Sequence, residues 1–509
     1  MKRILVGPSV LVLALTAAGC STPAPQALKP MDVPAKFTSP IPSDVGVWPT
    51  QDWWHGFGST ELDGLVAQAE TNNFDIAVAA ASVLQAQAQA NINRAALFPS
   101  ITLDPSVTRQ QTPASSVNVG RATLVSPAST FNTFGVAANA SYNLDFWGLA
   151  QDNLREADEA LRSSRYNQEI VALTTVAGVG TTYLNVLALR EEVTVTKHNV
   201  EDSEKVLQVT QAKLKYGVDS ELDLATEEAI VEQQKANIPV LEEQEHESLL
   251  ALAILLGKAP EGFDVTAQNM SGIATPLVAP GMPSELLLRR PDVAQAEANL
   301  SSAHANVDAA RAAFFPAVSL TGSAGSSSGM IGTLFHASTF EWSAGASALQ
   351  TLFDAGKLFA ESDLAKAQQL GLVSTYRKTV ISAFSNVETS LGQVSNYATE
   401  QNALEREVKA ASTAVRISEL QYREGIVDIT AVITNQQTLY AAQNALIQAR
   451  LAHAQAVIGL YQALGGGWSQ NPKENTQPLP GTTEAANRSP APVPDPQDSM
   501  WKAIGSIMP

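Results

Sequence analysis

Two spacings of apolar residues run along this chain, and each occurs twice. In the first, apolar side chains recur at every second residue. Ile101, Leu103 and Val107 alternate with Thr102, Asp104, Ser106 and Thr108. Phe134, Val136, Ala138, Ala140, Tyr142 and Leu144 alternate with Gly135, Ala137, Asn139, Ser141 and Asn143. A period of two predicts half-buried strands, and the same spacing returns at about 318–324 and 340–350. Polar, Ser/Gly-rich stretches at 110–133 and 325–338 separate the members of each pair and read as surface loops.

In the second spacing, Tyr376, Val380, Phe384, Val387, Leu391 and Val394 stand four and three residues apart. That is coiled-coil spacing. It predicts a long helix over about 357–423 and, through Val176, Val179, Tyr183 and Val186, another over about 149–215. At 1.5 Å per residue each reaches about 100 Å. Both break at a glycine, Gly217 or Gly425, which reads as a helix C-cap. A second helix then runs back to about Leu256 or Leu464. Asp219 and Asp428 fall at the start of the returning helices, where a carboxylate is favoured.

The body is therefore one pattern written twice. Arg94-Ala-Ala-Leu-Phe-Pro99 matches Arg311-Ala-Ala-Phe-Phe-Pro316, and Leu255-Leu256-Gly257 matches Ala463-Leu464-Gly465. The glycine offsets 356−148, 425−217 and 465−257 are all 208, whereas the proline offset 316−99 is 217. The nine-residue difference lies wholly in the strand–loop–strand part, where length variation belongs to exposed loops. Each repeat supplies two strands of a length suited to a tilted membrane crossing. Four strands cannot close a barrel around a lumen, and open edges are not tolerated in lipid. Several chains must pool their strands. Two chains would leave a barrel filled by its own side chains, so three or more are needed for a channel.

The N-terminus adds an address. Lys2 and Arg3 precede an apolar stretch from Ile4 to Ala18, then Ala17-Ala18-Gly19-Cys20. Residues 1–19 read as a secretory signal. Cys20, the only cysteine, stands where a bacterial lipobox carries its acylated residue. Ser21 behind it fits an outer-membrane destination. Residues 20–58 read as a lipid-anchored, Pro-rich tether and 467–509 as a disordered tail. Beyond the signal no run of 18 apolar residues is found, the best stretch being Leu249 to Leu256. A net charge of −18 excludes nucleic acid as a partner.

Together these features resemble the TolC-like outer-membrane factor family, in particular the efflux lipoproteins of the NodT type. The residues that carry the resemblance are Trp53-Trp54 with Phe57, Leu62, Leu65, Asn73-Phe74-Asp75, the two helices ending in Phe-Pro, and Arg289-Arg290-Pro291-Asp292-Val293 with Glu297. The resemblance spans about Trp53 to Gly465, with repeats at 59–260 and 284–466. It implies a mainly α fold: long coiled-coil helices forming an α-barrel, and four strands per chain shared in one transmembrane β-barrel of a homotrimer. It further implies a passive efflux duct in the outer membrane, joined through a periplasmic adaptor protein to an inner-membrane pump of RND type, and no cofactor.

Site expectations follow. Cys20 is the lipidation site. Tyr216, Gly217, Val218, Tyr422, Gly425 and Ile426 lie at the two helix tips and, by resemblance, touch the adaptor. Asp219, Asp223 and Asp428 are candidates for an acidic gate, where copies of a carboxylate in a narrow mouth favour cations. Arg290 and Asp292 read as structural, and Phe340, Trp342 and Tyr142 as an aromatic girdle. None of the six histidines has metal-ligand spacing to another, and the Gly-rich 322–329 lacks a P-loop lysine and reads as a surface loop, so catalysis has no support. Two other readings stay open: an exit duct for type I protein secretion, and a lipid-anchored periplasmic coiled-coil scaffold without a pore.

Overall fold

The computed structural model describes residues 34, 36–39, 48–119, 122–276, 278, 281 and 283–468. The signal segment, Cys20 and most of the C-terminal tail lie outside the described residues. The elements are α1 (Thr60–Asn72), α2 (Phe74–Ala95), β1 (Ser100–Thr112), β2 (Ser115–Val119), β3 (Ala122–Ser126), β4 (Ser129–Leu144), α3 (Leu149–Lys215) and α4 (Glu221–Leu255). After a connection come α5 (Pro283–Arg289), α6 (Pro291–Ala312), β5 (Ala317–Ser328), β6 (Phe340–Leu349), α7 (Lys357–Arg423) and α8 (Ile429–Ala463). The two long helices keep the expected limits, 67 residues each.

Within each repeat the start of a short helix meets the end of the returning helix through an equivalent contact. The Asn73 amide donates to the Leu255 carbonyl at 2.8 Å, so α2 continues the line of α4. At the equivalent junction Arg290 donates to the Ala463 carbonyl at 2.7 Å and grips Asp292 at 2.9 and 2.6 Å, so α6 continues α8. Arg290 is buried. Its role is structural, as is that of Asp292. The junctions are tight enough that a Cβ on Gly257 or Gly465 would fall 2.2 or 2.0 Å from a backbone carbonyl oxygen of the facing helix.

β1, β4, β5 and β6 form one antiparallel sheet in that order. Its register sorts the side chains by polarity. Ile101, Leu103 and Val107 pair across to Ala140, Ala138 and Phe134, and onward to Gly322, Ala324 and Ser328. Ala324 then faces Trp342, and Ser326 faces Phe340. The other face carries Thr102, Asp104, Asn139, Ser141, Ser319, Thr321, Ser323, Ser343 and Ser347 in matching rows. There Asn139 donates to Asp104 at 2.9 Å, and the hydroxyls of Ser319 and Ser347, and of Ser323 and Ser343, pair at 2.8 and 2.9 Å. In one chain the apolar face is bare: Ile101 is 76% and Trp342 72% exposed. Both outer edges, β1 and β6, are unpaired among the described residues. β1 and β6 run in opposite directions, so a β6 meeting a neighbour's β1 continues the antiparallel alternation.

Several expectations are corrected. The segment 110–133 is not a loop. β1 runs on to Thr112, β4 begins at Ser129, and β2–β3 form a separate two-stranded hairpin between them. The nine extra residues of the first repeat are spread over this part: its two sheet strands have 13 and 16 residues against 12 and 10, and the segment between them carries the hairpin. Gly322–Ser328 is the outer half of β5, not a surface loop. Ser and Gly disfavour strands in isolation, but ladder pairing overrides that preference. Within α3 one stretch is long and apolar enough to cross a membrane by length and composition, and half of it is buried against neighbouring helices. It is core: Val179, Tyr183, Leu184, Val186 and Leu187 are fully enclosed. The described parts of the expected tether are docked. Thr38 and Ser39 hydrogen-bond the Glu388 carboxylate on α7 at 2.5–3.1 Å, and Trp53 stacks on Tyr461 at 4.8 Å between centroids. Trp468 is likewise buried and meets the Tyr166 ring edge-on.

Candidate functional site

The chain's candidate site is the pair of helix tips farthest from the sheet. Both hairpins, α3–α4 and α7–α8, turn by the same device. Gly217 and Gly425 each sit at φ +73°. Val218 N–H reaches back to the Lys213 carbonyl at 2.9 Å, and Ile426 N–H to that of Gln421 at 2.8 Å. This is the Schellman closure, which requires a left-handed residue that glycine supplies without Cβ strain.

The side chains around the turns differ. At the offset of 208, Tyr422 stands where the first tip has Leu214, and Val427 where it has Asp219. Tyr422 points inward and is 2% exposed. It packs with Val206 from α3, Ile230 from α4, and Ile429, Val432 and Ile433 from α8. Its hydroxyl donates to the Asp219 carboxylate and lies 2.9 Å from Thr210 Oγ1. Lys213 donates to the Tyr422 carbonyl, with its ammonium 3.8 Å from the ring centroid. Burial first, and then the Asp219 carboxylate, push the phenol above its ordinary range. One tyrosine thus ties the second hairpin to the first.

Of the three candidate gate acids, only Asp219 joins this tie. Asp223 closes a capping box: its carboxylate accepts from Ser220 N–H at 2.9 Å and Ser220 Oγ at 2.7 Å, and these bonds hold its carboxyl below the usual range. Asp428 caps α8, accepting from Ala431 N–H at 3.2 Å. Of the six tip residues, Tyr422 is not at the surface. Tyr216, Val218 and Ile426 are 80%, 67% and 70% exposed. A groove of about 380 Å³ runs beside them, lined by Lys205, Val209, Lys213, Tyr216, Val218 and Arg423.

The sequence reading missed Lys213, Thr210 and Glu227. Glu227 lies on α4 with no exposed surface and, among the described residues, no partner for either carboxylate oxygen. Burial and the neighbouring Glu419 push its carboxyl up to about 7. A signal for it existed: Asp223, Glu227, Ile230 and Gln234 are spaced four, three and four, which sets a glutamate on an inward stripe.

The descriptive model of the outer membrane efflux protein family matches residues 65–258 and 282–466, the two repeats. The pyoverdine export outer membrane protein OpmQ of Pseudomonas aeruginosa is 37% identical over 421 residues, covering 83% of this chain and 88% of that protein. The probable efflux pump outer membrane protein TtgC of Pseudomonas putida is 32% identical over 479 residues, covering 92% and 98%. Among solved structures, the Campylobacter jejuni CmeC outer membrane channel superposes with a TM-score of 0.79 at 23% identity, covering 90% of this chain and 97% of that one. The open state of the Neisseria gonorrhoeae MtrE outer membrane channel gives 0.75 at 27% identity, covering 88% and 98%. The fold class expected from the sequence stands: the chain is mainly helical with a small four-stranded sheet, the fold of TolC-like channels. The family forms channels and is not a family of enzymes. This chain belongs to the outer membrane efflux protein family, and it is an outer-membrane channel component of an efflux system.

Proposed function

We propose that three copies of this chain form the exit duct of a tripartite small-molecule efflux system, closed at its periplasmic end by the tie between Tyr422 and Asp219. The observation that carries the reading is the sheet register. It places the large apolar side chains of the membrane-length strands on one face, Phe131 and Leu349 at strand ends excepted, and a hydroxyl- and amide-rich wall on the other, with two open edges of complementary direction. Three copies of four strands make twelve. With strands about 4.8 Å apart and tilted by about 40°, a twelve-stranded barrel has a radius of about 12 Å, wide enough for a lumen. On the polar face the only ionisable side chains are Asp104 and Glu341. Such a wall passes neutral and cationic cargo more readily than anionic cargo. Relatives carry names for pyoverdine, toluene and antibiotic export, and a small-molecule cargo is our reading here.

The exposed tip residues Tyr216, Gly217, Val218, Gly425 and Ile426 are where a periplasmic adaptor docks and hands over from an RND-type pump. Large apolar side chains exposed at the end of a coiled coil, as Tyr216, Val218 and Ile426 are, mark a surface that a partner covers. Cys20 carries the acyl anchor, which assists sorting while the barrel holds the protein in the membrane. Purified protein in detergent should migrate as a heat-modifiable oligomer and conduct in planar bilayers. A monomer that is soluble without detergent and never conducts would refute the duct. Photo-crosslinking from position 216 or 426 should capture the adaptor, and radiolabelled palmitate should enter the wild type but not Cys20→Ala.

A further inference from the structure

We infer that Glu227 is a proton-binding site in the seam between the two tip hairpins, and that loss of its proton loosens the closed tip. The inference rests on the gate reading above. The seam is crowded with oxygen acceptors and short of donors. Glu227, on α4, has two buried oxygens without a partner. Gln436, on α8, is 1% exposed; its amide nitrogen donates to Glu419 of α7 at 3.4 Å, and its own carbonyl oxygen is also unpartnered. Glu419 thus adjoins both orphaned groups. A buried ionised carboxylate without a donor is strongly disfavoured, and a second carboxylate beside it adds to the penalty. One proton on Glu227 removes a charge and supplies a donor among acceptors.

The other groups facing this point do not substitute for the proton. From α8, the Tyr440 hydroxyl is 3.1 Å from Ser203 and 3.2 Å from the Asn199 carbonyl. From α3, Asp202 adds negative charge near Glu419 and Tyr440. Lys205 and Arg423 act on Glu419, and Lys205 is held by Asp202 at 2.7 Å. Three residues further along α4, Ile230 enters the same apolar cluster as Tyr422. The protonation site and the tyrosine tie therefore share one joint.

The direction follows from linkage. The closed joint holds the Glu227 proton more tightly than an opened, hydrated one, whose carboxyl returns to its ordinary range. The contribution to closure is full below about pH 4.5 and is lost as pH rises to about 7, where the closed-state carboxyl titrates. Opening is thus favoured on the alkaline side.

The test is single-channel recording of the full-length oligomer with the periplasmic-side pH stepped from 5 to 7.5. The open probability of the wild type should rise at least about fivefold. Glu227→Gln, a fixed neutral analogue, should stay closed across the range. Glu419→Gln should shift the midpoint of the rise to lower pH. Infrared difference spectra of the wild type should show a protonated carboxylic acid titrating over the same window and missing from Glu227→Gln. A pH-independent wild type, an unchanged pH response in Glu227→Gln, or spectra showing Glu227 ionised at pH 5 would overturn the inference. The gate reading fails separately. If Tyr422→Phe leaves the channel closed, the tie is not the latch, while the infrared titration still decides the proton.

Discussion

The two hairpin tips share a backbone and divide the chemistry. Both turn at a glycine with φ +73° and both close with the same six-residue hydrogen bond. Yet the first tip offers Asp219, Lys213 and Thr210 as a receiving surface, and the second inserts Tyr422 into it. The repeat equivalent of Tyr422 is Leu214, which makes no such bond by its chemistry. The equivalent of Asp219 is Val427, which packs against the apolar cluster. An internal repeat builds two similar rods. Only where the copies differ can one rod latch onto the other and be released.

The comparison breaks most severely at Tyr422. Tyr422→Ala removes a fully enclosed aromatic from a six-residue cluster and should cost about 3–5 kcal/mol at the tip. Its readout is a continuously open channel with multiplied conductance and protease sensitivity at the tip. Tyr422→Phe keeps the packing and removes only the hydroxyl. It should raise open probability several-fold with little loss of oligomer thermal stability, and Asp219→Asn should do the same to a lesser degree. Leu214→Ala, the equivalent change in the other copy, should leave open probability close to wild type. Equal effects at 214 and 422 would show that the tips are symmetric in function and that the tie is incidental.

The turns themselves sharpen the comparison in the opposite direction. Gly217→Ala and Gly425→Ala each force a Cβ into left-handed backbone, at a cost of about 1–2 kcal/mol. Neither added Cβ meets a neighbour, so the two losses should match. Hydrogen exchange of the tip amides, read separately for each hairpin, would measure them. A large difference would mean that one turn is strained by its surroundings and that the backbone equivalence is only apparent.

How much of this was legible beforehand depends on the range of the interaction. The long helices were readable to their ends, because the heptad spacing, the stopping glycines and the restart carboxylates are all local signals. The four-stranded sheet was readable from period two, but its β2–β3 extension was hidden by Ser and Asn, whose weak strand preference yields to pairing. At the tips the expected residues sit at the turns, and one of them, Tyr422, faces inward where a surface position was expected. Tyr422 was grouped with Tyr216 as a surface contact because both are tyrosines near a glycine; the offset of 208 pairs it with Leu214, an inward position. The hydrogen bond from Tyr422 to Asp219 spans 203 residues, and no local pattern announces such a partner. Glu227 was the reverse case. Its spacing gave it away, but a glutamate among many reads as solvated until burial is known.

The smallest expected effect lies in the caps, where the copies again differ in kind. The first returning helix starts with Ser220 and Asp223 bonded to each other in both directions. The second starts with Asp428 alone, accepting from Ala431 N–H. Ser220→Ala and Asp428→Ala should each cost about 1 kcal/mol of local stability. Their pH behaviour should separate them. The hydrogen bonds from Ser220 hold the Asp223 carboxyl below its ordinary value, so its contribution is present above about pH 4 and is lost as pH falls through the lowered value. Ser220→Ala removes the hydroxyl's bonds and keeps the backbone one, so its α4 amides should lose most of the acid-labile part of their protection. The Asp428→Ala penalty should sit in the amides of the first turn of α8 and leave α4 untouched. Hydrogen exchange between about pH 3 and pH 6 resolves the two sets, after correction for the intrinsic pH dependence of exchange. Should Asp428→Ala deprotect α4 as well, the starts of the two returning helices are one cooperative unit. The asymmetry of the tips would then lie in the tyrosine tie and not in how each helix begins.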